Sequence, residues 1–225
     1  MTKEWCIPKE HSADFVAKME DILDTYALPY DEDCPVICLD EKPYQLLDEH
    51  RESIPMKQGS PKKIDNEYER CGTCSIFVMC EPLKGWHHAH ARLRRTAIDY
   101  AHEIEWLLTE SPYKNAPKIK LIQDNLNTHI IASLYKAFPA KKAREYAKRL
   151  EFHYTPKHGS WLNIAEISIG ILSKQCLKRR IPNLDLLNSQ ITAWETFYNS
   201  QIKKINWQFT TEDARIKLNK LYPVF

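Results

Sequence analysis

The chain has 225 residues, of which 43% are hydrophobic and 28% are charged, and its formal net charge is only +2. This composition suits one globular domain with a small appendage and excludes disordered and fibrous proteins. Because no apolar run reaches about 18 residues and the start lacks a signal-peptide pattern, we expect a cytoplasmic protein without a membrane partner.

The first part of the chain predicts a helix and then a strand. Residues 1–34 form a lead-in segment whose helix runs from Ala13 to Tyr26 and carries apolar residues on one face. Val36–Leu39 is a short apolar run that is typical of a buried strand, and it ends at Asp40. The polar, proline-containing stretch Lys42–Cys71 predicts a long loop with at most one helical turn.

A hairpin and a helix follow. Cys74–Cys80 and Trp86–Leu93 are predicted to be antiparallel strands that are joined by a turn, and Thr96 is predicted to cap a helix that ends near Leu108. Cys71, Cys74, His87 and His90 lie in an order similar to that of a zinc finger. The last spacing is too short and no finger-like helix follows, so we do not expect a zinc site.

The second half of the chain alternates strands with helices. The predicted strands are Lys118–Gln123, which ends at Asp124, and Glu151–Tyr154. The predicted helices are Ala140–Leu150, a helix that begins near Asn163, Leu184–Tyr198 and Thr211–Leu221. An antiparallel start followed by helix-connected strands predicts an α/β protein with a mixed sheet, flanked by helices and extended by C-terminal helices. That order of elements is typical of a ribonuclease H-like domain.

Three carboxylates are candidates for a metal site. If the strands that end at Asp40 and Asp124 are neighbours, their side chains converge at the carboxyl edge of the sheet. Adjacent carboxylates repel each other, and a divalent cation such as Mg²⁺ relieves that repulsion. Glu166, in the first turn of the next helix, would complete a pair of metal sites for displacement at phosphorus.

Each of these residues also has a structural interpretation. Aspartates at strand ends commonly begin turns, and Asn163 with Glu166 has the spacing of a capping box. His129 fits the start of a helix better than it fits a metal ligand, and core packing is a more common role for a lone tryptophan such as Trp161 than stacking on a nucleic-acid base. Motifs for dinucleotides, for phosphate-binding loops and for serine nucleophiles are absent from the sequence, so those enzyme classes are not favoured.

Three segments resemble the catalytic blocks of bacterial insertion-sequence transposases in the mariner-like DDE superfamily. They are Cys38–Glu41 (CLDE), Gln123–His129 (QDNLNTH) and Tyr154–Glu166 (YTPKHGSWLNIAE). The resemblance also includes residues 67–72, Arg94 and Arg95, residues 179–182 and residues 209–215. It covers nearly the whole chain.

The resemblance implies a ribonuclease H-like catalytic domain in which Asp40, Asp124 and Glu166 hold Mg²⁺ or Mn²⁺, with two ions expected. It implies cleavage at the ends of an insertion sequence and strand transfer into target DNA, at a TA dinucleotide, by a homodimer on the bacterial nucleoid. Basic clusters in the second half of the chain offer surfaces for DNA. The residues that we expect to contact DNA are Arg94, Arg95, Asn127, His129, Lys157, His158, Trp161, Lys178, Arg179 and Arg180.

The sequence departs from the family pattern in two ways. Between Asp124 and Glu166 lie 41 residues, which is longer than usual, and the basic helix 140–150 accounts for the excess as an insertion. Such transposases begin with helix-turn-helix modules, which 34 residues cannot contain, so we expect a C-terminal piece of a transposase.

The expected division of the chain is a lead-in at 1–34, a catalytic domain at 35–180 and a helical extension at 181–225 that packs on the same domain. Two alternatives to an active transposase domain stay open at this point. One is a truncated remnant that dimerises with the full-length enzyme and inhibits it. The other is a ribonuclease H-like nuclease that acts on RNA hybrids or repair junctions.

Overall fold

The fold is built on a mixed five-stranded sheet in a computed structural model that describes residues 12–223. The strands lie in the order β3-β2-β1-β4-β5. Their bounds are β1 Val36–Glu49, β2 Tyr68–Glu81, β3 Trp86–Arg92, β4 Ile119–Gln123 and β5 Leu150–Tyr154. β1, β2 and β3 pair in antiparallel fashion, whereas β4 is parallel to both β1 and β5. The α/β fold class with a mixed sheet is therefore confirmed.

Helices cover both faces of the sheet. They are α1 Ala13–Ala27, α2 Ala97–Thr109, α3 Ile131–Ala137, α4 Ala140–Lys148, α5 Ala165–Gln175, α6 Leu184–Asn199 and α7 Thr211–Lys217. Short 3₁₀ turns span Ser160–Leu162 and Asn219–Leu221. Thr96 and Thr210 begin α2 and α7 with complete capping boxes, which satisfy amides that the helices leave free.

Side chains that alternate between the two faces of the sheet divide the hydrophobic core into two layers. Ile37 and Leu39 of β1 face α2, α3 and α4, and the α2 residues Tyr100 and Ile104 are at most 1% exposed there. Cys38, between them, faces the opposite layer, which contains α1, α5, α6 and α7. Since successive strand residues point to opposite faces, the run that precedes Asp40 must be apolar throughout.

The prediction of a long loop over Lys42–Cys71 is wrong at both ends of that range, and only residues 50–67 lie outside the two strands. β1 continues to Glu49 and β2 already begins at Tyr68, and the two strands pair along that length with a shift in register near Gln45. We call residues 41–49 and 68–77 the hairpin extension. Because β1 pairs with β4 only over residues 36–38, the rest of its length has no strand partner on that edge, where a proline such as Pro43 is tolerated.

The C-terminal helices pack on the sheet and on α1. Leu187 and Ile191 of α6 are fully buried against β2 and β3, and Ala214 of α7 is buried beside α1. Two helices end earlier than predicted: α4 stops at Lys148 because Leu150 enters β5, and α7 stops at Lys217. Among the described residues, none of the helices is both long and apolar enough to span a membrane.

Candidate functional site

The register of the parallel strands places Asp40 beside Asp124. Cys38 of β1 lies opposite Ile122 of β4, and each aspartate follows two residues later, Asp40 within β1 and Asp124 directly after the last residue of β4. Side chains two residues apart along a strand point to the same face of the sheet. Both carboxylates therefore lie on the face that α1 and α5 cover, the face of Cys38 and Ile122. The predicted convergence at the carboxyl edge thus follows from the pairing of these two strands.

Asp40 lies in an environment that opposes its negative charge. Its Oδ1 accepts a hydrogen bond of 2.8 Å from the amide of Glu41, and its Oδ2 lies 3.4 Å from the side-chain amide of Asn163. Burial raises the pKa of Asp40 to about 7, and the negative charges of Glu166 and Asp124 add to this increase. The three predicted carboxylates therefore interact electrostatically.

Asn163 connects the start of α5 to the end of β1. Its side chain is buried, donates to the carbonyl of Leu39 at 2.8 Å and accepts from the amide of Ala165 at 3.1 Å. The capping-box interpretation is not realised, because Ile164 is the N-cap residue and α5 has no side-chain cap. Glu166 is exposed in the first turn of α5, on the helix that Asn163 holds against β1.

The donor set fits a divalent cation. Carboxylate oxygens are the ligands that Mg²⁺ and Mn²⁺ prefer. Here burial is the main cause of the raised pKa of Asp40, and repulsion by the neighbouring carboxylates adds to it. A bound cation would neutralise this accumulated negative charge. Asp40, Asp124 and Glu166 are the residues that would hold it.

His129 occupies a position that the sequence did not indicate. Its ring is fully buried, with Nε2 at 2.6 Å from Glu41 Oε1 and Nδ1 at 2.5 Å from Asp124 Oδ1. Burial lowers its pKa, but the contacts with Asp124 and Glu41 outweigh burial and raise it to about 9. His129, Glu41 and Asp124 also form a group of potential metal ligands. Glu41 was not among the predicted site residues.

A cleft of about 490 Å³ opens beside Asp124. Lys18, Lys157 and His158 line it, and the two residues of the 156–160 loop are exposed. His158 has a φ of 66°, a left-handed conformation that is uncommon for residues other than glycine and that is frequent at functional sites. Larger clefts lie elsewhere, including one of about 750 Å³ between α1 and residues 204–212.

The other residues expected to contact DNA are dispersed. Arg94, Arg95, Asn127, Lys178 and Arg179 are exposed, the first two between β3 and α2 and the last two just after α5.

Two members of that set have structural contacts instead, and a third is buried. Arg180 donates to Glu49 and to the carbonyls of Asp65 and Glu67, so its guanidinium joins the end of β1 to the loop that precedes β2. Trp161 packs against Phe209 with ring centroids 5.9 Å apart. His129 has no exposed surface with which to contact DNA.

Comparison with known sequences identifies one family. The sequence profile described as "DDE superfamily endonuclease" matches residues 35–188. A comparison with curated proteins finds no match.

Comparison with solved structures finds the same fold in mariner transposases. The crystal structure of the catalytic domain of Mos1 mariner transposase has a TM-score of 0.56 at 11% identity, over 97% of this chain and 100% of that one. The Mos1 strand transfer complex gives 0.58 at 14% identity, over 100% of this chain and 66% of that one. The Mos1 paired end complex with Mn gives 0.55 at 14% identity, over 90% and 62%. At this identity the likeness establishes the ribonuclease H-like fold, and the chain spans 62–66% of the length of the transposases in these complexes.

Proposed function

Because the chain belongs to the DDE superfamily endonucleases, we propose that it is the catalytic domain of a transposase that cleaves DNA and transfers the freed end to a new site. The observation that supports this proposal is the parallel pairing of β1 with β4, since Asp40 and Asp124 each follow the paired residues Cys38 and Ile122 by two positions. The electrostatic effect of Glu166 on Asp40 adds the third carboxylate to the same site.

We propose that Asp40, Asp124 and Glu166 hold two divalent cations. Two such ions activate the attacking oxygen and stabilise the leaving oxygen in an in-line displacement at phosphorus. The protein fixes the carboxylates: the pairing of β1 with β4 sets the two aspartates, and Asn163 holds α5 and its Glu166 against the end of β1. A rigid arrangement of this kind allows the DNA backbone to be held in the orientation that reaction requires.

The proposed substrate is the DNA of an insertion sequence and of its target, with TA as the target dinucleotide. Lys157 and His158 line the cleft beside Asp124 and offer donors to a phosphate. Arg94 and Arg95 are exposed basic residues elsewhere on the surface, between β3 and α2. The resemblance of the three catalytic blocks supports a homodimer that acts on bacterial nucleoid DNA.

Nicking and strand transfer on a supercoiled plasmid with Mg²⁺ or Mn²⁺ test this function. We expect the chain to nick the plasmid only with the metal, and Glu166→Gln to reduce the rate by at least ~100-fold, since it removes a ligand charge at similar volume. Glu145→Gln, the same substitution at an exposed position of α4, is the matched control and should retain full activity.

Equal nicking by the chain and by Glu166→Gln would contradict the assigned site. A folded chain that does not nick, but that inhibits an active transposase when the two are mixed, would support the inhibitor interpretation. Cleavage of RNA–DNA hybrids without strand transfer would support the ribonuclease interpretation.

A further inference from the structure

The carboxylate site contains a buried histidine that touches two acidic side chains at once. His129 lies in the loop after β4, and its two ring nitrogens contact Glu41 Oε1 and Asp124 Oδ1 at 2.6 and 2.5 Å. We propose that Glu41 and His129 are positioning residues that orient the Asp124 carboxylate for metal binding. This inference rests on the proposed function, since it presumes that Asp124 is a metal ligand.

The geometry favours a bridge over an additional metal centre. Nδ1 and Nε2 lie on different edges of the imidazole ring. Nε2 forms a hydrogen bond with Glu41 Oε1, whereas Nδ1 makes a close contact of 2.5 Å with Asp124 Oδ1 that lacks hydrogen-bond geometry. A single cation binds only one of these nitrogens, so it cannot take Glu41, His129 and Asp124 as ligands while both contacts persist. The ring therefore links the two carboxylates, as histidine–carboxylate pairs do beside metal sites.

The bridge leaves one oxygen of Asp124 available. Asp124 Oδ1, the atom that faces His129, is buried, whereas the side chain as a whole is 35% exposed. The accessible part of the carboxylate is therefore on the side away from the imidazole. Asp124 follows the last residue of β4, so the hydrogen bonds of the sheet do not hold it in place. Contact with the rigid imidazole ring restricts the rotamers of its side chain.

His129 is itself held by a buried hydrogen-bond network. Its carbonyl accepts from Gln123 Nε2 at 2.8 Å and from the Tyr154 hydroxyl at 3.0 Å. Tyr100 of α2 donates to Gln123 Oε1 at 2.8 Å, and its ring centroid lies 4.7 Å from that of His129. Contacts from α2, β4 and β5 thus converge on one residue, and its partner Glu41 is adjacent to Asp40.

A positioning role and a purely electrostatic role predict opposite effects on metal affinity. If His129 only supplies positive charge, its removal lets a cation bind the carboxylates more tightly. If it positions Asp124, its removal weakens binding, typically by about 10–100-fold for residues that orient a ligand.

The test is calorimetric titration of Mn²⁺ into the chain and its His129→Gln variant. We expect the variant to bind Mn²⁺ about 10–100-fold more weakly and to recover much of its nicking rate at saturating Mn²⁺. His102→Gln, the same substitution at a partly exposed position of α2, is the control and should bind like the unsubstituted chain. Unchanged or tighter binding by His129→Gln overturns the proposal.

A second variant keeps the test independent of the stability of His129→Gln. Glu41→Gln should also weaken Mn²⁺ binding, and the double variant should bind no more weakly than His129→Gln alone, because Glu41 acts through the imidazole. Additive losses would overturn the proposed bridge.

The same measurements distinguish a failure of this inference from a failure of the proposed function. If the unsubstituted chain binds Mn²⁺ and nicks DNA while His129→Gln behaves identically, only the positioning role is lost. If the unsubstituted chain does not bind Mn²⁺, both are lost.

Discussion

Burial affects individual ionisable side chains differently according to what surrounds them. Burial raises the pKa of Asp40, and the negative charges of Glu166 and Asp124 add to that increase. Burial lowers the pKa of His129, but its contacts with Asp124 and Glu41 outweigh burial and raise it.

His87 of β3 is 1% exposed and lies between Ser168 of α5 and the aromatic residues of α6. Burial is the largest effect there and lowers the pKa of His87 to about 4, although Glu195 opposes this change.

Because the pKa of His87 is lowered in the folded chain, we expect the free energy of unfolding to decrease at acidic pH. In the unfolded chain a histidine binds a proton below a pH of about 6.5, whereas folded His87 does so only near 4, so the free energy of unfolding decreases as pH falls through that interval. We expect about 2 kcal/mol of this decrease between pH 8 and pH 5. Urea unfolding of the chain and of His87→Gln at both values measures it, and equal pH dependence in the two proteins would refute the prediction.

At the scale of elements, the turn between β2 and β3 is fixed by Gly85. Its φ is +68°, and a Cβ at this position would lie 2.6–2.8 Å from backbone atoms of Lys203. The amide of Ile205 also donates to the carbonyl of Pro82 at 2.8 Å, so the segment after α6 packs directly on the turn. The turn therefore positions the C-terminal segment in addition to joining two strands.

Gly85→Ala should be much more destabilising than a comparable change elsewhere. Gly59 has a similar φ of +80°, but nothing lies within 4 Å of the place that an alanine methyl group would take, so Gly59→Ala meets only the backbone strain of about 1 kcal/mol. Gly85→Ala adds a backbone collision, and we expect a loss of at least ~2 kcal/mol. Urea unfolding compares the two variants, and equal losses would show that the contact with Lys203 does not constrain the turn.

At the scale of the whole molecule, Tyr26 of α1 links the C-terminal segment to the loop that leads into α5. Its hydroxyl donates to the carbonyl of Leu162 at 2.8 Å and accepts from the amide of Ile164 at 3.2 Å. Its ring centroid lies 5.2 Å from that of Trp207. Three segments that cover one face of the sheet, namely α1, the loop before α5 and the C-terminal segment, thus meet at one side chain.

Tyr26→Phe removes a single oxygen and leaves two buried main-chain groups without this partner. We expect a loss of about 1–3 kcal/mol in the free energy of unfolding, together with slower nicking, because the start of α5 loses its anchor. Tyr44→Phe is the matched control: its hydroxyl donates to the exposed carbonyl of Arg179 at 3.1 Å, where water can replace it. A Tyr26→Phe variant as stable as Tyr44→Phe would contradict this account.

The sequence by itself determined the strands, most helices and the carboxylates Asp40, Asp124 and Glu166 as candidates. These depend on local patterns, such as the apolar run before Asp40 and the capping residue Thr96, that can be read within a few residues. The sequence did not predict residues 42–49 and 68–73 of the hairpin extension as strands, because these residues are largely exposed or half exposed and burial imposes no strong apolar alternation on them. The contacts of Glu41, His129 and Asn163 depend on parallel pairing across long stretches of chain, and only the tertiary structure could decide which polar residues are buried together.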